Sequence, residues 1–371
     1  MTFDWSIYKG DAKWLPERTI YMTVHGSRAY GTNLPSSDTD WRGVCIAPKE
    51  FYLGFMGEFE QEVQEPPLDD LTVYDLRKFL SLAVEVNPNV IELLYTDPKH
   101  HVITSPAWQR IQAVRDTFLS KQARFRFSKY ALSQLKRIET HYRWLRNPPS
   151  GPPTRAEFGL PERTVIPADQ LAACKSQIQK KLDQTAWHEM NTLSPSQRQA
   201  IKSEFEEKLA EIMAWSDEDV EHKVWRGTAA SLGYDTNFIE LLDMERRYGS
   251  KQKDWESYQK WKKDRNVERA ALEAQFGYDT KHALHLVRLL RMCREILTEG
   301  VVNVWRPDFA ELLEIRAGAW TYEQLVKWAI AEDKEMGRLM LLSKLPNEPD
   351  REMVDKLCQD IVFEDMLRRA A

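Results

Sequence analysis

Cysteine is scarce in this chain of 371 residues: Cys45, Cys174, Cys293 and Cys358 stand far apart and form no CxxC pair. That spacing argues against a disulfide framework and against a cysteine-based zinc site, and it suits a reducing compartment. Long apolar runs are missing too. No stretch reaches the ~20 residues that a membrane-spanning helix needs. The opening residues MTFDWSIYKGDAKW have no apolar core of export-signal type. The expectation is a cytoplasmic protein with no membrane partner. A strong charge imbalance is also lacking, since 52 Lys and Arg face 57 Asp and Glu, a net charge of -5. This does not describe a general nucleic-acid coat protein, although a local basic patch remains open. No internal repeat and no low-complexity tract is present.

What is there changes character along the chain. At roughly 100–200 residues per domain, two or three domains are expected. Only the first 105 residues have clear strand character. Thr19 to Val24 is β-branched and aromatic and runs into Gly26-Ser27; Asp40 to Ile46 reads as a second strand, and Phe59 to Val63 as a third. Thr72, with Asp75 three residues on, predicts a helix start of capping-box type, with Tyr74, Leu76, Phe79, Leu80 and Ala83 on its apolar face. Asn87-Pro88-Asn89 breaks that helix and another follows. Beyond Ser105 the pattern is helical. The spacing predicts an α+β region over 1–105, a basic helical segment over 106–147, a Pro-rich linker over 148–167, a charged helical insertion over 168–275 and a helical C-terminal domain over 276–371.

The chemistry concentrates in His25-Gly26-Ser27-Arg28-Ala29-Tyr30-Gly31 followed by Ser37-Asp38-Thr39-Asp40. A strand ending in Gly-Ser, with a helix to follow, exposes backbone N–H groups and a hydroxyl to anionic oxygens, and Gly lets a phosphate approach closely. Residues i and i+2 of a strand share a face, so Asp38 and Asp40 project together if Asp38 begins the second strand. Two adjacent carboxylates call for a cation, and hard oxygen ligands favour Mg²⁺, with water and substrate phosphates completing the shell. Two such ions ~3.5–4 Å apart could stabilise both the attacking and the leaving oxygens of a phosphoryl displacement. A third carboxylate usually completes such a site; Asp70 is the first candidate, Asp69 the second and Asp75 the third.

Gly-Ser, a short gap and Asp-x-Asp resemble the signature of the DNA polymerase β-like nucleotidyltransferase superfamily. Asp40-Trp41-Arg42-Gly43-Val44, then Asp70 to Leu80, then Asn87 to Leu94, resemble one branch of it. That branch is the "predicted nucleotidyltransferase" family of bacteria and phages, associated in part with RNA repair. Asp279 to Leu290 is similar to that family's C-terminal helix. The resemblance covers most of 19–147 and 276–330. It implies a nucleotidyltransferase-fold mixed sheet with helices, followed by a mostly helical C-terminal region. It further implies transfer of NMP from ATP or another NTP to an acceptor, with Mg²⁺ or Mn²⁺ and release of pyrophosphate. Ser27 would contact the nucleotide phosphates, and Asp38 and Asp40 would hold the metal. Asp70 would be the third ligand and a candidate general base. Gly26 and Arg28 complete the expected nucleotide-binding turn, although the signature gives Arg28 no role of its own.

Gly-Ser alone and Asp-x-Asp alone are common turns and solvated loops; in this order, between two predicted strands, they are far more specific. For Asp70 the plainer reading is a helix N-cap near Thr72. Lys281, His285 and Arg288 fall at i, i+4 and i+7, on one helix face. They form either a polar face packed through ion pairs or a basic wall over the phosphates of the nucleotide or acceptor. The segment 121–146 carries eight Lys or Arg against the single acid Glu139, with Phe125, Phe127, Tyr130, Tyr142 and Trp144 interleaved. It is either a solvated face with a core stripe or a surface for RNA, where cations meet phosphates and aromatics stack bases. Trp255 and Trp261 read as packing residues. RNA, a tRNA or a damaged RNA end, is the expected acceptor. The rivals are transfer to a protein or small molecule, and a non-catalytic nucleotide- or RNA-binding module.

Overall fold

The computed structural model describes residues 3–55, 57–65, 70–191, 225–265 and 267–370. The chain divides into two compact units, one built from 1–146 and 266–371 and the other from 147–265.

The first unit holds a five-stranded mixed sheet in the order β3-β4-β2-β1-β5. Its strands are β1 (Thr19–His25), β2 (Asp40–Cys45), β3 (Gln61–Gln64), β4 (Leu71–Asp75) and β5 (His101–Thr104). Only β2 and β4 pair in parallel. The seven residues of β1 are all buried, as expected of a central strand covered on both faces. Alternation sorts its side chains: Tyr21 joins the main helical core, whereas Met22 and Val24 join a smaller cluster with Phe3, Leu15, Trp41 and Val73. On the helical face Trp108 stacks on Tyr21 with ring centroids 3.8 Å apart.

Six helices of this unit carry the argument: α1 (Gly26–Tyr30), α2 (Leu76–Val84), α3 (Pro88–Tyr95), α4 (Ala123–Arg146), α5 (Val267–Phe276) and α6 (Thr280–Glu299). The long helix α6 packs chiefly on α4, through Leu286, Leu290 and Cys293 against Phe127, Ala131 and Ile138 within the same core. No helix among the described residues is long and apolar enough to cross a membrane.

Three expectations need correction. Thr72 does not begin a helix: 71–75 is strand β4, held between β2, with which it pairs in parallel, and β3, with which it pairs antiparallel. The helix starts at Leu76, and its N-cap is Asp75, whose carboxylate accepts from Arg77 N at 3.0 Å. Strand β5 is likewise additional to the three expected. Its four residues are too short for alternation to show, and its strand character comes from pairing with β1. Asp38, moreover, lies in the loop before β2 rather than on the strand.

The second unit contains helices Ala168–Asn191 and Thr236–Lys263. Ile166, Ile178, Trp225, Ile239 and Leu242 form its core, and Arg155 bridges both oxygens of Glu245 at 3.1 and 2.5 Å. Trp255, Tyr258 and Trp261 line up at 5.9 Å ring spacings along one helix. The part of the expected charged helices that falls in 192–224 lies outside the described residues.

Candidate active site

Strand β1 ends at His25, and the chain turns at once into α1. Gly26 sits at φ +65°, a conformation that disfavours other residues. A Cβ there would also collide with the Asp40 carboxylate. Glycine is therefore needed twice over, for the turn and for the approach of the carboxylate. Helix α1 is only five residues long, so a helix dipole adds little. What the turn offers an anion is the Ser27 hydroxyl and local amides.

Three carboxylates gather beside that turn. Asp40 opens β2 opposite His25. Asp70 is placed next to it by a backbone bond, Trp41 N to Asp70 O at 2.7 Å. Asp38 is exposed, on the loop that Arg28 clamps by donating from Nε to Asp38 O at 3.0 Å and from Nη2 to Ser37 O at 2.7 Å. Burial raises the Asp40 carboxyl above its ordinary range, and a hydrogen bond with Asp70 and repulsion from Asp70 and Asp38 raise it further. The positive charge of Arg42 opposes this; its guanidinium forks onto Asp70, with Nη1–Oδ1 at 2.9 Å and Nη2–Oδ2 at 3.2 Å. Asp69 lies outside the described residues. Asp75 is committed to capping α2 and to a 2.5 Å bond from the Tyr52 hydroxyl.

These groups help to line a cavity of about 460 Å³. Side chains of the helices line it too: Arg137 from α4, Arg269 from α5, and Lys281, His285 and Arg288 from α6. Burial, reinforced by Arg288 and other nearby cations, pushes the His285 imidazole well below its ordinary range, so it adds no positive charge. The structure thus gathers Gly26, Ser27, Asp38, Asp40, Asp70, Lys281, His285 and Arg288 around one space. Arg28 is not part of that lining. Its fork is spent on the loop carbonyls, where it positions Asp38.

Arg288 is not a freely exposed cation. It is 3 % exposed, its Nη1 lies 2.5 Å from Glu92 Oε1, and its guanidinium carbon sits 3.8 Å from the centroid of the Tyr30 ring. The Tyr30 hydroxyl donates to Glu92 Oε2 at 2.6 Å, and His25 Nε2 lies 3.3 Å from the same oxygen. Fully buried Glu92 therefore joins α6 to the end of β1 and to α1, directly behind the Gly26-Ser27 turn. The Arg288 Nε remains without a hydrogen-bond partner.

Burial alone would push the Glu92 carboxyl up. Arg288, His25 and Tyr30 outweigh it and hold the group at about 2, against an ordinary 4.5. A second buried node lies at the start of α6, where Asp279 caps the helix by accepting from His282 N at 3.0 Å. Arg269 donates from Nη1 to Asp279 Oδ2 at 3.0 Å and contacts His282 Nε2 at 2.6 Å. Burial, reinforced by Arg269 and other nearby cations, lowers His282 to about 4 despite the opposing Asp279.

Both shifts have the same consequence in acid. The Glu92 contribution is complete above about 4.5 and is lost as pH falls towards about 2. The His282 contribution is complete above about 6.5 and is lost as pH falls towards about 4. In each case the unfolded chain takes up the proton first. Urea melts are expected to show stability falling below pH 6.5, with the fall above pH 5 reduced in His282→Gln.

Several site residues were given no role by sequence reasoning: His25, Tyr30, Arg42, Glu92, Asn89 and Arg269. Within the basic segment, Tyr130 and Arg137 counted among its aromatics and cations, and Gln134 between them did not stand out. They stand at i, i+4 and i+7 on α4 and face the cavity together. Elsewhere on α4, Phe127 and Trp144 are buried and Tyr142 stacks on Tyr322 at 3.8 Å. Arg124 pairs with Asp333 at 3.0 Å and Arg126 with Glu85. Phe125, Lys129, Tyr130, Lys136 and Arg137 are exposed.

A Gly-Ser turn at the end of one strand, facing carboxylates at the start of the next, is the arrangement of polymerase β-type nucleotidyltransferases. Residues 11–146 match the profile of the RNA repair pathway DNA polymerase beta family. The chain is similar to the uncharacterized protein YcgL of Bacillus subtilis (strain 168), with 30% identity over 122 residues, which cover 32% of this chain and 46% of that protein. It is also similar to an uncharacterized 38.9 kDa protein of the nrdC-mobD intergenic region of Enterobacteria phage T4. There the identity is 26% over 111 residues, covering 27% of this chain and 33% of the phage protein. The chain thus spans less than half the length of these curated relatives. No solved structure matches.

Proposed function

We propose that this protein transfers a nucleoside monophosphate from an NTP to RNA and releases pyrophosphate. The observation that carries the reading is one cavity lined by Gly26, Ser27, Asp38 and Asp40 together with Arg137, Arg269 and Lys281. A triphosphate needs cations along its length and a divalent ion at the reacting phosphorus, and this lining supplies places for both. RNA as acceptor rests on the description of the matched family and on the exposed Phe125, Lys129, Tyr130, Lys136 and Arg137 of α4. One of these cations lines the cavity and others flank it.

The residues fit a divalent ion. Gly26 leaves room for the Asp40 carboxylate, which burial raises above its ordinary range and which its neighbours Asp70 and Asp38 raise further. Their oxygens are hard donors of the kind Mg²⁺ and Mn²⁺ prefer. Among the described residues no three His, Cys, Asp or Glu side chains are placed to hold one ion. A complete protein cage is not required, because Mg²⁺ is commonly held by one or two carboxylates plus water and substrate phosphates. Asp38 and Asp40 would hold it, and it would polarise the phosphoryl group under attack.

The protein's own part is positioning and charge. Ser27 donates to a phosphate oxygen. Lys281 and Arg269 face the phosphate chain, and Arg288, paired with Glu92, braces the back of the turn. In a preorganised site such donors act on charge as it develops in transfer.

The test supplies each radiolabelled NTP with Mg²⁺ and total cellular RNA and protein, and follows which fraction takes up label. Label in the RNA fraction is expected. Label confined to protein would replace RNA as acceptor, and no label in any fraction would argue against nucleotidyl transfer.

A further inference from the structure

Arg42 reaches the third carboxylate of the site, Asp70. It is two residues beyond Asp40 on β2, so both side chains leave the same face of the sheet. Its fork takes both oxygens of Asp70, at 2.9 and 3.2 Å, and Nη1 also donates to Trp41 O at 2.8 Å. The Asp70 backbone is itself fixed by the 2.7 Å bond from Trp41 N. Neither partner of this pair is a loose surface group, since the Arg42 and Asp70 side chains are 20 % and 28 % exposed. A bidentate guanidinium–carboxylate pair is geometrically specific and always charged. Asp70 is the carboxylate that would otherwise bring a second metal ion to the Asp38–Asp40 pair.

We propose that the Arg42 guanidinium takes the place of a second metal ion, so that this site binds one divalent ion, through Asp38 and Asp40, together with the nucleotide. The inference rests on the nucleotidyltransferase reading of the same cavity and changes one assignment within it. Asp70 becomes the anchor of Arg42, a positioning residue rather than a metal ligand.

The experiment counts Mn²⁺ bound to the full chain in the presence of a non-hydrolysable α,β-methylene NTP, by the electron paramagnetic resonance of the free ion. The wild type is expected to bind one Mn²⁺. Asp70→Asn is expected to bind one with unchanged affinity, and Arg42→Gln to gain a second. Asp40→Asn is expected to lose the ion. Folding of each variant is checked by its melting transition. Two ions in the wild type would overturn the inference and leave the nucleotidyltransferase reading standing. So would a fall of about tenfold or more in Mn²⁺ affinity in Asp70→Asn, or a single ion in folded Arg42→Gln. No ion bound to the wild type with nucleotide present would overturn the underlying metal assignment as well.

Discussion

Asp40→Asn is expected to lower the rate of label transfer by a factor on the order of 10³ or more, with the fold intact. The size follows from what the carboxylate touches. Asp40 lies against Gly26 at the mouth of the phosphate turn and beside Asp70, on the strand that also carries Arg42. Removing its charge takes away a ligand for the ion that polarises the reacting phosphoryl group, and losses of single transition-state contacts in preorganised sites already reach about 10²–10³. Asn keeps the shape, so the sheet pairing of β2 with β1 and β4 is expected to survive. Asp38→Asn is expected to act in the same direction from its loop. Transfer rates measured at saturating NTP, with melting curves of each variant, check the pair. Unchanged transfer in both folded variants would remove the metal assignment.

Glu92→Gln is expected to destabilise the unit that carries the site by about 3–5 kcal/mol, because it leaves the buried Arg288 without its counter-charge. Glu92 is completely buried and Arg288 nearly so. The substitution also weakens the contacts from Tyr30 and His25 that converge on the same carboxylate. At about 2–4 °C per kcal/mol for a unit of this size, the melting transition is expected about 10 °C lower. The double variant Glu92→Gln with Arg288→Met is expected to recover part of the loss, since replacing both partners of a buried pair costs far less than orphaning one. A urea-melt double-mutant cycle checks this. Additive single effects would mean that the 2.5 Å pair is not coupled. Because the network lies behind Gly26-Ser27, Glu92→Gln is also expected to weaken NTP binding at temperatures where it remains folded.

The residues that carry the strongest claim were legible because they are local. Gly26-Ser27 and Asp38 to Asp40 lie within fifteen residues, between two strands whose β-branched and aromatic composition announces them. The short span leaves the chain little choice but to bring turn and carboxylates together. The face of α6 that carries Lys281, His285 and Arg288 was legible for a similar reason, because helical periodicity is itself a local property. The basic segment was legible only in part. Its charge count is plain, but which of its cations pair with Glu85 and Asp333 and which aromatics enter the core depends on helices distant in sequence.

Other features had no local signal. Glu92 reads as one acid in an ordinary amphipathic helix, and only the approach of α6, some two hundred residues later in the chain, makes it the buried partner of Arg288. The segment 71–75 was read as a helix start because Thr72 and Asp75 are spaced like a cap. Pairing with β2 on one side and β3 on the other holds it extended, and the cap falls three residues later. Asp70 was legible as the candidate third carboxylate, but its pairing with Arg42 was not: Arg42 reads as an ordinary strand residue until the parallel register sets it opposite Thr72 and brings the two to 2.9 Å. The sequence by itself therefore determined the turn, the carboxylate pair and the basic helix face, each written within one or two consecutive elements. Tertiary structure alone decided which charges are buried, which are neutralised and which face the cavity, because burial and pairing are properties of distant segments meeting.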